Sequence, residues 1–155
     1  MINNANQYTI SDIFSASKAI KYIIPKYQRE YAWNKSNWED LLGDLLDDDP
    51  GHFIGSIICI KSEGIDVLNT QELELVDGQQ RLTTISLLFC AIYKILKNKI
   101  GEENYEIQNL KYQLVQKLNK QSELKLELSR QNNNDDDYRS VLGEELGIFD
   151  FSRDI

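Results

Sequence analysis

The chain is poor in the residues that most soluble catalytic centres draw on. It has one histidine, His52, and two cysteines, Cys59 and Cys90. A lone histidine with no plausible cysteine pair argues against a zinc site and against a Ser-His-Asp triad. His52 is therefore read as structural. Cys59 and Cys90 each lie inside an apolar run, the setting of buried free thiols in a cytoplasmic protein, with a disulfide as the minority reading. No apolar run of about 18 residues occurs, so no segment is suited to span a membrane. The first residues, Met1-Ile2-Asn3-Asn4-Ala5-Asn6, lack the basic and then apolar regions of a secretory signal. Positive charge is also short, with 17 Lys and Arg against 25 Asp and Glu, a net charge of −8. That balance argues against a protein that coats DNA by generic attraction to phosphates. It leaves room for a local basic pocket, because net charge speaks to long-range attraction and not to one site.

What is present is organised around Leu73-Glu74-Leu75-Val76-Asp77-Gly78-Gln79-Gln80-Arg81-Leu82-Thr83-Thr84. This stretch reads as a short apolar strand, a tight turn at Asp77-Gly78 and the start of a helix. Ile85, Leu88, Phe89, Ile92, Ile95 and Leu96 continue it as an apolar stripe at helical spacing. Backbone N–H groups at a helix start lack intrahelical partners and carry the positive end of the dipole, which suits an anion, phosphate above all. Arg81 adds a permanent charge with forked donors. A simpler reading is a capping box, with Asp77 capping the helix, Gln80 reaching back and Gly78 permitting the turn. A cap uses at most two of these side chains. Two glutamines, an arginine and two threonines crowd this one entrance, which favours a functional site.

With 155 residues, the chain is about one domain's worth, 41% hydrophobic and able to bury a core. Thr9 or Ser11 caps a short helix within Thr9–Ala19. Lys21–Ile24 reads as β, closed by Pro25. Pro25–Trp33 is an aromatic-rich loop interleaved with Gln28 and Arg29. Ser36-Asn37-Trp38-Glu39 reads as a capping box ahead of an amphipathic helix with Trp38, Leu41, Leu42, Leu45 and Leu46 on one face. Asp47-Asp48-Asp49 lacks the alternate spacing of a calcium loop and reads as a solvated helix end, although negative charge is unfavourable there. His52–Ile60 is expected to be a central strand, with Gly55 marking a bulge or close backbone approach. Lys61–Gln71 is a polar connection. The central helix is expected to end near Lys97-Asn98-Lys99, with Gly101 as its stop. Ile107, Leu110, Leu114 and Leu118 suggest another helix. Leu124, Leu126 and Leu128 suggest a half-buried strand. Residues 131–137 are low-complexity polar, and Tyr138, Val141 and Leu142 begin a last amphipathic turn. The apolar, poorly capped tail suggests an excised N-terminal piece of a longer protein. The division expected is residues 1–100 as the motif-bearing domain and 101–155 as a mainly helical extension.

Three ordered segments carry a resemblance: Ile24-Pro25-Lys26-Tyr27-Gln28-Arg29-Glu30-Tyr31-Ala32-Trp33, Phe53-Ile54-Gly55-Ser56, and Asp77-Gly78-Gln79-Gln80-Arg81-Leu82-Thr83-Thr84. Together they resemble the N-terminal domain of GmrSD-type modification-dependent restriction endonucleases. The resemblance implies an α+β fold similar to ParB and sulfiredoxin, a mixed β-sheet packed by helices, with a helical C-terminal extension. It implies NTP binding and hydrolysis that gates DNA cleavage, the cutting being done by a C-terminal HNH-type nuclease domain outside this sequence. The role implied is defence against modified phage DNA, with DNA met through the full-length protein. A rival reading is a non-hydrolysing reader of DNA modification, or an interaction module of the same protein. Carried over, Asp77, Gln79, Gln80 and Arg81 are the catalytic set, with Mg2+ on Asp77. Gln28, Arg29, Gly55, Ser56, Gly78, Thr83 and Thr84 would bind the phosphates, with Gln28 and Arg29 opposite the Asp77–Arg81 group. Tyr27, Tyr31 and Trp33 would stack on a base or simply close the pocket. No G-x-x-x-x-G-K-[ST] occurs, so the site would not be a Walker P-loop. Self-association is left open.

Overall fold

The computed structural model describes residues 7–16, 20–25, 31–47, 49, 54–61, 71–118, 121–128 and 134–147. The elements in order are α1 (Ile10–Ile13), β1 (Ile20–Ile23), α2 (Lys35–Leu45), β2 (Ile58–Lys61), β3 (Gln71–Asp77), α3 (Gln79–Ile100), α4 (Tyr105–Leu114), β4 (Val115–Leu118), β5 (Gln121–Leu124), β6 (Leu126–Glu127) and α5 (Asn134–Leu146). The fold is α+β. A four-stranded sheet has the order β2-β3-β1-β6, and β4 and β5 form a separate antiparallel pair. β1 runs parallel to both β3 and β6, while β2 runs antiparallel to β3, so the sheet is mixed. No helix among the described residues is long and apolar enough to cross a membrane.

Local chemistry sets most of the element starts. Thr9 caps α1 through a capping box with Asp12, but that helix is a single turn. α2 begins two residues earlier than the Ser36 box predicts. Asn34 is the cap, its side chain accepting from the Asn37 N–H while Asn37 reaches back to the Asn34 N–H. Asn104 caps α4 by accepting from Glu106 and Ile107. Gly101 stops α3 at φ +112°, with Lys97 and Lys99 placed against the negative end of the dipole.

The core gathers Phe14, Tyr22, Leu75, Leu82, Ile107 and Leu126 around the sheet and α3. Phe14 meets Phe89 at 5.7 Å and Tyr22 edge-on at 6.4 Å between ring centroids. The Tyr22 hydroxyl donates to the Ile13 carbonyl at 2.8 Å. Both cysteines are thiols, and burial pushes each up to about 11. At that value the thiolate is scarce near neutrality, so neither is poised as a nucleophile.

Five expectations are corrected. Of the expected 52–60 strand, the described residues 54–57 are irregular where they cross the start of α3, and β2 (Ile58–Lys61) lies at the sheet edge instead of its centre. The buried face of α3 runs through Leu82, Thr83, Ile85, Ser86, Cys90 and Tyr93, so Ile92 and Ile95 of the predicted stripe face solvent. A purely apolar count misses this face because two of its members are hydroxyls satisfied locally. Thr83 Oγ1 donates to the Gln79 carbonyl, and Ser86 Oγ donates to the Thr83 carbonyl. Tyr138 on α5 then donates its hydroxyl to Ser86 Oγ at 2.7 Å. On α2, only Leu41 of the predicted apolar face is buried. Leu118 lies on β4 and not on the helix of Ile107. Beyond residue 101 the chain supplies strands as well as helices, and β6 completes the edge beside β1. His52 lies outside the described residues.

Candidate phosphate site at the start of the central helix

β3 delivers Asp77, its last residue, to the carboxyl end of the strand, where Asp77 pairs with Ile58 and is exposed. The chain then turns through Gly78 in the left-handed region, φ +88° and ψ +13°. Two facts make this position glycine. Positive φ is costly for a residue with a Cβ, and a Cβ here would lie 2.6 Å from Ile57 Cγ2 and 3.0 Å from the Ser56 carbonyl oxygen. Residues 54–57 therefore cross directly over the helix start.

Gly78, not Asp77, is the N-cap of α3, and no side chain caps it. The capping-box reading fails because Asp77 is held in the β3 ladder and Gln80 faces elsewhere. Gln80 is buried and its Oε1 accepts from the Ala32 N–H at 2.7 Å. The N-cap of this 22-residue helix thus supplies no side-chain hydrogen bond of its own, and the positive end of the helix dipole lies there.

Arg81 stands in the first turn. Its Nη1 donates to the Ser56 carbonyl at 3.1 Å, and its guanidinium lies flat against Gly55, where a Cβ would come within 2.6 Å of both Nη atoms. Gly55 sits at φ +145°. Arg81 is half-buried and forms no ion pair with a described residue; the Ser56 carbonyl uses one of its five donors. Gln79 is tethered across the turn, its Nε2 donating to the Val76 carbonyl at 3.2 Å.

The structure brings Gly55, Ser56, Gly78, Gln79 and Arg81 together beside Asp77. It places Gln80, Thr83 and Thr84 differently. Thr83 is buried, and Thr84 Oγ1 donates to the Gln80 carbonyl at 2.8 Å while contacting the Tyr31 hydroxyl at 2.7 Å. Trp38 Nε1 donates to the same Tyr31 hydroxyl at 2.8 Å. Gln80, Thr84, Tyr31 and Trp38 therefore fasten residues 31–38 to α3. Trp33 packs half-buried against the core. Tyr27, Gln28 and Arg29 lie outside the described residues, and with them the expected meeting of Arg29 and Arg81. Sequence reasoning missed Ile57 beneath Gly78 and the Ala32 N–H beneath Gln80. A backbone donor and a methyl contact leave no motif to read.

Among the described residues no group of three or more His, Cys, Asp or Glu side chains is arranged to hold a metal. One exposed carboxylate, Asp77, is still enough for a magnesium ion that takes its other ligands from water and phosphate.

The family model of the GmrSD restriction endonuclease N-terminal domain matches residues 10–151. No curated protein matches the chain.

Proposed function

The chain belongs to the GmrSD restriction endonuclease family through its N-terminal domain, and from that premise we propose that it binds and hydrolyses a nucleoside triphosphate at the start of α3. The observation that carries this reading is the uncapped helix start with Arg81 latched beside it on the Ser56 carbonyl. Amides after Gly78 and the Arg81 guanidinium would hold phosphate oxygens and offset charge that develops in phosphoryl transfer. By the family resemblance, Gln28 and Arg29 would join them. Gln79 suits positioning of the attacking water, since Gln80 is committed to Ala32. Asp77 would hold Mg2+ or orient that water; the ion, when bound, would neutralise phosphate charge.

In this reading, hydrolysis gates a C-terminal HNH-type nuclease domain that cuts modified phage DNA in the cytoplasm, and the fold is ParB-like. The absence of Walker spacing makes it a non-P-loop NTPase. Phosphate release with several NTPs, alongside nucleotide-induced shifts in melting temperature, tests it on the chain and on Arg81→Ala and Asp77→Ala. Loss of one charged hydrogen-bonding partner corresponds to about 1.5–3 kcal/mol, or roughly 10- to 150-fold in Kd for Arg81→Ala. Neither release nor a melting shift with any NTP would overturn the proposal. Binding of modified DNA that Arg81→Ala abolishes, without nucleotide binding, would replace it with the reader.

A further inference from the structure

The face of α2 that its sequence marks as core is mostly uncovered. Trp38, Leu42 and Leu46 are 47%, 46% and 71% exposed. Between α2 and α3 lies a cleft of about 360 Å³, lined by Trp38, Leu41, Leu42, Leu45, Leu87 and Leu88, with Tyr31 and Thr84 also on its wall. Past Leu88 the same face of α3 continues with exposed Ala91, Ile92 and Ile95. From Leu88 to Ile95 this apolar track runs about 10 Å at the helical rise, roughly two turns.

The chemistry of the cleft selects its occupant. The lining side chains are apolar apart from the hydroxyls of Tyr31 and Thr84 and the indole N–H of Trp38. Those three already bond one another. An extended peptide laid here would leave its N–H and C=O groups without partners, whereas a helix satisfies its own. The charge beside the cleft is one-sided. Residues 35–49 hold six carboxylates against the single Lys35. Glu39 and Asp44 flank the apolar stripe by helical phase, and Asp47 and Asp49 follow at the C-terminal end, where the dipole is negative too. Lys35 is itself paired with Glu39 at 3.8 Å. A cationic partner would meet opposite charge along the edges of the apolar stripe. A second copy docked through the same face would set these α2 carboxylates against their own duplicates.

We propose that the α2–α3 cleft docks an amphipathic helix of a protein partner, its apolar residues seated on Trp38, Leu42, Leu88 and Ile92 and its flanks carrying Lys or Arg. This surface is independent of the nucleotide reading. Calorimetric titration with a lysine–leucine amphipathic peptide of about 18 residues tests it. A peptide of the same composition in scrambled order and a glutamate–leucine amphipathic peptide serve as controls. The expected result is saturable binding of the first peptide only, weakened at least about tenfold by Leu42→Asp and by Ile92→Asp, two exposed positions, and weakened by Glu39→Lys with Asp44→Lys. Absence of binding, or equal binding of the scrambled peptide, would overturn it. So would indifference to both aspartate variants, or a homodimer in sedimentation velocity that Leu42→Asp dissociates.

Discussion

Replacing Gly78 by alanine tests whether the turn before α3 is built as described. Alanine in the left-handed region costs about 1–2 kcal/mol. Its Cβ would also press on Ile57 Cγ2 at 2.6 Å and on the Ser56 carbonyl oxygen at 3.0 Å, a backbone atom that cannot swing aside. Overpacking of that kind costs about 1–3 kcal/mol. The sum centres near 3 kcal/mol, and for a chain of this size each kcal/mol lowers Tm by about 2–4 °C. A fall of about 6–12 °C is expected in thermal unfolding followed by far-UV circular dichroism. Asparagine, which tolerates the left-handed region better, should recover part of the backbone cost and none of the contact cost. Gly43→Ala is the internal control. No atom lies within 4 Å of its added Cβ, and it sits inside α2, so helix propensity should raise stability by up to about 1 kcal/mol. If Gly78→Ala melts with the wild type, or if Gly43→Ala loses as much, the close crossing of residues 54–57 over α3 is refuted.

Gly55→Ala should act through Arg81, since the added Cβ displaces the guanidinium from its seat. Nucleotide affinity should fall as in Arg81→Ala, and the double variant should bind no worse than either single one; additive losses would sink the coupling. Lys125 is buried, its ammonium donates to the Ser15 carbonyl, and desolvation pushes its pKa down to about 8 from 10.5. Below about 8 both folded and unfolded chains hold the proton and the burial penalty is complete; between about 8 and 10.5 unfolding takes up a proton, so stability rises with pH. Urea titrations of wild type against Lys125→Met should therefore diverge in favour of wild type from pH 7 to 10, at up to about 1.4 kcal/mol per pH unit, and a flat difference would contradict the burial. Tyr138→Phe removes the bond to Ser86 Oγ, which keeps its own bond to the Thr83 carbonyl. It should cost about 1 kcal/mol by chemical denaturation, and no loss would mean that the α3–α5 contact rests on packing alone.

The sequence by itself determined what depends on near neighbours in the chain. Thr9 and Asn104 cap their helices, Gly101 ends α3, and the junction Asp77–Arg81 is strand, turn and helix, because capping and turn chemistry act over three or four residues. The family resemblance is legible in the same way, through three ordered motifs and the model matching residues 10–151. Tertiary structure decided which of two local solutions wins and which face is buried. Asp77 looks like a cap, but pairing with Ile58 holds it in the ladder and leaves Gly78 at the helix start. Gln80 looks like part of that cap, but the Ala32 N–H, 48 positions away, claims its oxygen. Ser86 looks out of place in a core until Tyr138 arrives from α5. The apolar faces of α2 and α3 are written as clearly as any core stripe, yet Trp38, Leu42, Ile92 and Ile95 are exposed. Periodicity records that a face is apolar; only the placement of the other elements decides what, if anything, covers it.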